Sequence, residues 1–516
     1  MRMGRAAGIL LHPSSLPGPF GIGDIGRAAQ DFVGRLAEAG QRLWQVLPLG
    51  PTGYGDSPYA PFSSFAGNEL LISLESLRDE GFLEGDDLVP PRAFPARQVD
   101  YAAVISWKRP LLRRAAECFL GGTSAAQRGD YEAFRRRNAA WLGDYALFRS
   151  IKDEYDQRAL EEGRHGALWN NFWPEQLARR EPRSLARERE RRASSVACYE
   201  VLQFFFDTQW KALRSAARAA GVQILGDIPI FVAEDCAEVW SRPELFLLDE
   251  RGRPREIAGV PPDYFSADGQ LWGNPLYDWE AHRREGFAWW IRRLEAALER
   301  HDAVRVDHFR GFEAFWAVPA GQRTARQGVW RKAPGGEFFT ALRGVLGGDL
   351  PIVAEDLGFI TDEVRALRDS LELPGMRILQ FAFDAQESGS AFDPRNLFLP
   401  HNYVEQCVAY TGTHDNDTLA GWLSQASPAE LDYLFRYLGH RPADPVRALI
   451  VELFKSVAAW AVVPMQDLLG LGSEARMNRP STLGGNWTWR MTERDFSPTL
   501  RSELRALSRI YGRTVP

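Results

Sequence analysis

Residues 303–308 read AVRVDH: a short apolar run, broken by one arginine, that closes on an acid and a histidine. The same form recurs at Gly8 to Ser14 (GILLHPS), Arg42 to Leu49 (RLWQVLPL), Gln223 to Ile230 (QILGDIPI) and Pro351 to Asp356 (PIVAED). It returns at Met376 to Phe383 (MRILQFAF), Cys407 to His414 (CVAYTGTH) and Ala459 to Asp467 (AWAVVPMQD). Continuous apolarity suits a strand covered on both faces, as in a parallel sheet. Helical patterns lie between the runs. In Trp279 to Arg300, Phe287, Trp290, Ile291, Leu294 and Leu298 recur at three- and four-residue spacing. Gly26 to Ala39 and Asp362 to Leu371 (DEVRALRDSL) read alike. Eight such strands alternating with helices predict the α/β class and a (β/α)8 TIM barrel.

Two connections are too long for simple crossovers and read as large insertions after strands 2 and 3, over the C-terminal mouth. The predicted organisation is residues 1–51 as the first part of a catalytic barrel, 52–200 as a mostly helical insertion and 201–516 as the rest of the barrel, including a loop insertion over 231–302. The first insertion opens on a Gly/Pro/Ser/Tyr-rich stretch, GPTGYGDSPYAPFSSFAGN at 50–68. The second contains GVPPDYFSADGQLWGNPLYDW at 259–279, dense in aromatic and turn residues. We expect this stretch to cover the mouth.

In 516 residues, 45% hydrophobic and 25% charged, the composition excludes a disordered or collagen-like chain. A net charge of −6 offers no general attraction for nucleic acid or an anionic membrane. No run approaches a membrane span, and the apolar stretch near Met1 is too short for a signal-peptide core, so a cytoplasmic location is expected. Cys118, Cys198, Cys236 and Cys407 are widely separated and read as buried thiols rather than a disulfide or zinc framework. Residues 179–192 (RREPRSLARERERR) mix seven Arg with three Glu, which reads as a solvated, ion-paired helix face. The chain holds 17 Trp, 14 Tyr and 30 Phe, whose flat faces suit sugar rings and equally suit a core.

In a TIM barrel the strand C-termini carry the chemistry. The fourth run ends on Arg305, Asp307 and His308, the fifth on Glu355 and Asp356, and the seventh on His414, Asp415 and Asn416. Arg305 and Asp307, two apart on a strand, share a face, so the guanidinium would hold Asp307 ionised and fit for nucleophilic attack. Glu355, in an apolar strand, would have its pKa raised by desolvation and serve as a proton donor. That division is the acid and nucleophile pair of retaining glycoside chemistry.

The motifs VRVDHFRGF, VAEDLG and TGTHDND, with GYGDSPY, GDIPIFVAEDCAEVW and PPDYFSADGQLWGNPLY, resemble those of the amylomaltases or disproportionating enzymes, the 4-α-glucanotransferases of glycoside hydrolase family 77 in the α-amylase superfamily. The resemblance runs in order from about Leu11 to Trp489. It implies Asp307 as nucleophile, Glu355 as general acid/base and Asp415 as transition-state stabiliser, with Arg305 and His414 assisting. Tyr59 would stack under the sugar at the cleavage point, with Asp227 lining the same pocket. Asp263, Phe265, Gln270 and Trp272 would border donor and acceptor sugars, and Tyr54 would belong to a second glucan-binding groove.

The implied reaction cleaves an α-1,4-glucan or maltooligosaccharide donor, forms a covalent glycosyl-Asp307 and passes the segment to the 4-hydroxyl of glucose or another maltooligosaccharide. It needs no cofactor, nucleotide or metal, and no P-loop, HExxH or EF-hand pattern occurs. No obligate protein partner is implied. The alternative within the same superfamily is an α-glucan hydrolase, which would share all three carboxylates and differ only in the acceptor.

Overall fold

The eight apolar runs form eight parallel strands in a computed structural model that describes residues 3–262, 267–385, 392–482 and 484–514. These are β1 (Ala6–Leu10), β2 (Leu43–Gln45), β3 (Gln223–Pro229), β4 (Ala303–Asp307), β5 (Ile352–Ala354), β6 (Gly375–Ile378), β7 (Cys407–Tyr410) and β8 (Trp460–Pro464). The hydrogen-bonded order is β6-β7-β8-β1-β2-β3-β4-β5. Ala354 N donates to Pro374 O at 2.9 Å, drawing β5 back to β6 so that the sheet curls into a (β/α)8 barrel. Every residue of β1, β7 and β8 is buried, as both-face coverage requires.

Several strands stop short of their apolar runs. Ile378 ends β6, and Gln380–Ala382 makes a tight turn; Pro464 ends β8, and Met465–Leu468 turns helical. The remaining apolar residues of those runs pack into the loops at the mouth, where burial continues after the ladder stops. The Trp279 to Arg300 pattern is two helices, Trp279–Arg284 and Ala288–Arg300. Gly286 (φ 61°) and Phe287 (φ 58°) enter the left-handed region between them, which an α-helix does not allow. The second helix still lays Trp290, Ile291 and Leu294 against the barrel.

Between β2 and β3 the chain runs through the helices Tyr101–Gly121, Ala125–Arg137, Leu142–Glu161 and Pro182–Arg191. It then enters Ala193–Ala219, which passes residue 200 without a break and packs Trp210 and Leu213 into the core. The arginine-rich stretch is ion-paired: Arg191 and Arg192 both reach Glu154 and Glu188, and Arg189 reaches Asp144.

Two expectations are corrected. The 259–279 stretch is not wholly loop, because Glu256–Val260 and Gln270–Pro275 are antiparallel strands of a second sheet completed by Ala314–Pro319 and Val329–Lys332. The two pair with each other, and Glu256–Val260 pairs on its other side with Ala314–Pro319, which follows β4, so periodicity within the stretch could not reveal the sheet. At the turn into Gln270–Pro275, Gly269 has φ 68°, and a Cβ there would meet Val260 O at 2.4 Å. Cys118 is exposed, since its helix buries Ala115, Ala116 and Phe119 on another face; the other three thiols are buried. Most indoles are core fillers, with Trp44, Trp169, Trp210, Trp240 and Trp290 fully buried, while Trp272 and Trp330 remain 38% exposed. Among the described residues no helix is long and apolar enough to cross a membrane.

Asp356, the second acid ending the fifth run, serves the barrel seam. Its Oδ1 accepts Met376 N at 2.6 Å, and its Oδ2 pairs with Arg368. Gly375 admits it, because a Cβ there would lie 2.4 Å from Oδ2. Asp356→Ala removes one partner of a buried ion pair and the acceptor for a strand N–H. It should lower the unfolding free energy by about 3–5 kcal/mol, read as a shifted denaturant midpoint; an unchanged midpoint would show that the seam is held elsewhere.

Candidate active site

The register of β3 against β4 pairs Asp227 with Arg305 and Pro229 with Asp307. Cross-strand neighbours point to the same face, so Asp227, Arg305 and Asp307 converge inside the barrel. Arg305 Nη1 lies 2.9 Å and 2.7 Å from the two oxygens of Asp227, and its Nη2 lies 2.6 Å from Asp307 Oδ1. Arg305 Nε completes its contacts on Met376 Sδ at 3.3 Å. The side chain of Asp227 is wholly buried, whereas that of Asp307 is 31% exposed at the mouth. Burial raises the pKa of Asp227 against the pull of Arg305, and the two flanking carboxylates hold that of Arg305 well above its ordinary value despite burial.

Glu355 follows β5 directly. Its Oε2 accepts His308 N at 2.6 Å and its Oε1 accepts Leu357 N at 2.7 Å. His308 has φ 50°, in the sparsely occupied left-handed region. Desolvation first, and then the neighbouring Asp307 charge, push the Glu355 carboxyl up to about 8. A carboxyl that keeps its proton near neutrality stands beside one bonded to a guanidinium, the asymmetry that acid–nucleophile chemistry requires.

The loop after β7 brings His414 and Asp415. His414 Nε2 is 3.4 Å from Asp415 Oδ1, and Asn478 Nδ2 donates to that oxygen at 2.6 Å. Tyr59, from the loop after β2, donates its hydroxyl to Asp227 Oδ2 at 2.8 Å and lies 3.3 Å from His414 Nδ1. Its ring stacks on His414 at 4.8 Å and 18°. Burial and the Asp227 charge hold the phenol protonated, its pKa raised well above the ordinary value.

The structure thus brings together Tyr59, Asp227, Arg305, Asp307, Glu355, His414 and Asp415. Trp272 joins from the second sheet, its ring perpendicular to His308 at 4.7 Å, with Nε1 donating to Gln270 Oε1 at 3.2 Å. Tyr54 stands 75% exposed in the turn Tyr54–Asp56, apart from this cluster. Asp263 and Phe265 lie outside the described residues.

Sequence reasoning missed Asn478, Arg476 and Trp487. Arg476 donates to Asp415 O, and the Trp487 ring lies 5.8 Å from both Tyr59 and His414. All three follow β8, where the Gly-, Asn- and Pro-rich stretch 470–486 was a signal for a loop returning to the mouth. His308 was singled out for its side chain. It is its backbone N–H that reaches Glu355, and burial holds its imidazole pKa down at about 3.

The sequence model of glycoside hydrolase family 77, described as 4-alpha-glucanotransferase, matches residues 11–495. A 4-alpha-glucanotransferase of Thermus thermophilus is 51% identical over 98% of this chain and 99% of its own length. One of Synechocystis sp. is 47% identical over 99% and 98%. Among solved structures, an amylomaltase from Streptococcus agalactiae in complex with acarbose superposes with a TM-score of 0.92 at 38% identity, covering 99% of this chain and all of that one.

Retention of the Glu355 proton has a consequence for stability. From pH 4.5, where the unfolded chain loses that proton, to about 8, where the folded protein does, the folded state binds the extra proton. The contribution of Glu355 to stability therefore falls as pH rises through that window. In thermal melts between pH 5 and 8, wild type should lose ground progressively against Glu355→Gln; a constant gap would contradict the raised pKa.

Proposed function

This chain belongs to glycoside hydrolase family 77, the 4-alpha-glucanotransferases, and we propose that it moves α-1,4-glucan segments between maltooligosaccharides by a retaining mechanism. The observation that carries the mechanism is the pairing, in one mouth, of the Arg305-bonded Asp307 with the proton-holding Glu355. Glu355 donates its proton to the glycosidic oxygen while Asp307 attacks the anomeric carbon, which gives a covalent glycosyl-Asp and frees the reducing-end fragment. Glu355, now ionised, takes the proton of an acceptor 4-hydroxyl as that oxygen displaces Asp307. One α-1,4 bond is exchanged for another, so no energy-rich donor is required.

Asp415, oriented by Asn478 and His414, is placed to accept hydroxyl hydrogen bonds from the sugar at the cleavage point. The Tyr59 ring, fixed by its bond to Asp227, supplies that sugar with an apolar platform. Transfer must outrun hydrolysis by water. Trp272 and the second sheet hold an acceptor near Asp307 at high effective concentration and keep solvent away. In this reading the barrel comprises 1–51 and 201–516, with 52–200 as the helical insertion; the Ala193–Ala219 helix serves both. Its first half carries Tyr199, bonded to Asp153, and its second half carries Trp210, bonded to Arg300 O.

Incubated with maltotriose alone, the protein should yield glucose together with a ladder of longer oligosaccharides; shorter sugars only would make it an α-glucan hydrolase. Asp307→Asn should lower the rate by at least about 10³-fold, since it removes the attacking group. The kcat/KM for maltotriose should fall as pH rises through about 8, where Glu355 loses the proton it must donate. A limb that persists unchanged in Glu355→Gln would assign it to another group.

A further inference from the structure

The two N–H groups that hold the Glu355 carboxyl come from different loops. His308 lies just beyond the end of β4 and Leu357 beyond the end of β5; backbone bonding between the two reaches as far as Phe309 N, which donates to Glu355 O at 3.2 Å, and stops before Leu357. Arg310 spans the two. It sits in the turn Phe309–Phe312, two residues after His308, and is only 4% exposed. Its Nη1 donates to the carbonyl of Phe359, two residues beyond Leu357, and its Nε reaches Ala314 O at 3.5 Å. The guanidinium faces the Trp330 ring at 3.9 Å and the Phe359 ring at 5.5 Å, and those rings are near-parallel, 22° apart in tilt. Among the described residues Arg310 forms no ion pair, so its charge is held by carbonyls and aromatic faces. Glu313 attracts that charge from beyond ion-pair distance, yet burial outweighs it and lowers the guanidinium pKa, a desolvation cost that a purely space-filling residue would avoid.

We propose that Arg310 is a positioning residue for proton donation by Glu355: it ties the loop after β5 to the turn after β4 and so fixes the two backbone N–H groups that orient the carboxyl. The proposal rests on Glu355 being the general acid. Arg310 acts through the His308 and Leu357 amides. Its removal frees the loop after β5 beyond Glu355, where Leu357 lies, and the carboxyl loses its aim at the leaving oxygen, while Asp307, held independently by Arg305, keeps its own geometry.

The test exploits a leaving group that needs no proton. In α-maltosyl fluoride the C1–F bond breaks to release fluoride as Asp307 forms the C1–O bond, so first-turnover fluoride release reports nucleophilic attack without acid assistance. Arg310→Lys keeps the charge but loses the planar fork and Arg310→Met loses both. Each should lower kcat/KM on maltotriose by about 10- to 100-fold, part of what a general acid contributes. Fluoride release should stay within about twofold of wild type, and its burst amplitude counts correctly folded enzyme, which guards against a variant that folds poorly. Glu355→Gln should show the same split, only larger. Equal losses on both donors in the Arg310 variants, or no loss on either, beside a split in Glu355→Gln, would overturn the proposal and leave the general acid standing. No split in Glu355→Gln would remove the general acid and the proposal with it.

Discussion

The guanidinium of Arg305 lies between two carboxylates from adjacent strands, and the mouth of the barrel is arranged around that buried charge. Placing Asp227 and Arg305 out of water costs several kcal/mol per ion unless every lone pair and N–H is met. Here both oxygens of Asp227 reach one guanidinium nitrogen, Tyr59 supplies a further donor, and Met376 receives the Nε. The remaining nitrogen is left for Asp307. The place of Asp307 is therefore a consequence of a charge network anchored one layer below it.

That network also explains the contrast between the two reacting carboxyls. Asp307 has a cation at 2.6 Å, while Glu355 is bonded to neutral amides, and the pull of Arg305 on it is outweighed by burial and by the charge of Asp307. Burial and like charge act together on Glu355 and keep it protonated. One barrel end thus holds two carboxyls in different surroundings because one strand carries an arginine two residues earlier and the next strand does not.

Loops from distant parts of the chain complete the site, and the barrel's curvature makes them neighbours. Tyr59 follows β2, Trp272 comes from a separate antiparallel sheet, and Asn478 and Trp487 follow β8. The Tyr59 loop is fastened to the segment after β3, where Glu238 accepts Ser63 Oγ at 2.6 Å and Ser64 N at 3.1 Å. Arg149, on the inserted Leu142–Glu161 helix, sets its guanidinium 4.5 Å from the Phe62 ring. The insertion therefore steadies a site to which it contributes no reacting group.

The eight strands, the Arg305–Asp307 pairing and the acids at the strand ends were legible in the sequence because each is local. A run covered on both faces is apolar throughout, and two residues two apart in a strand share a face. The motifs also carried the family. Tertiary structure alone decided that Asp227 meets Arg305 and that Asp356 closes the seam, while the adjacent Glu355 takes the amides of His308 and Leu357 at the mouth. It alone decided that 256–260 pairs with 270–275 on one side and, on the other, with 314–319, beyond β4. It also showed that the backbone of His308 serves the site, that Asn478 returns to Asp415, and that Trp487 returns across most of the chain to Tyr59. Each of these depends on register or on the closure of the barrel, which brings residues hundreds of positions apart into hydrogen-bond range and leaves no periodic trace in the residues themselves.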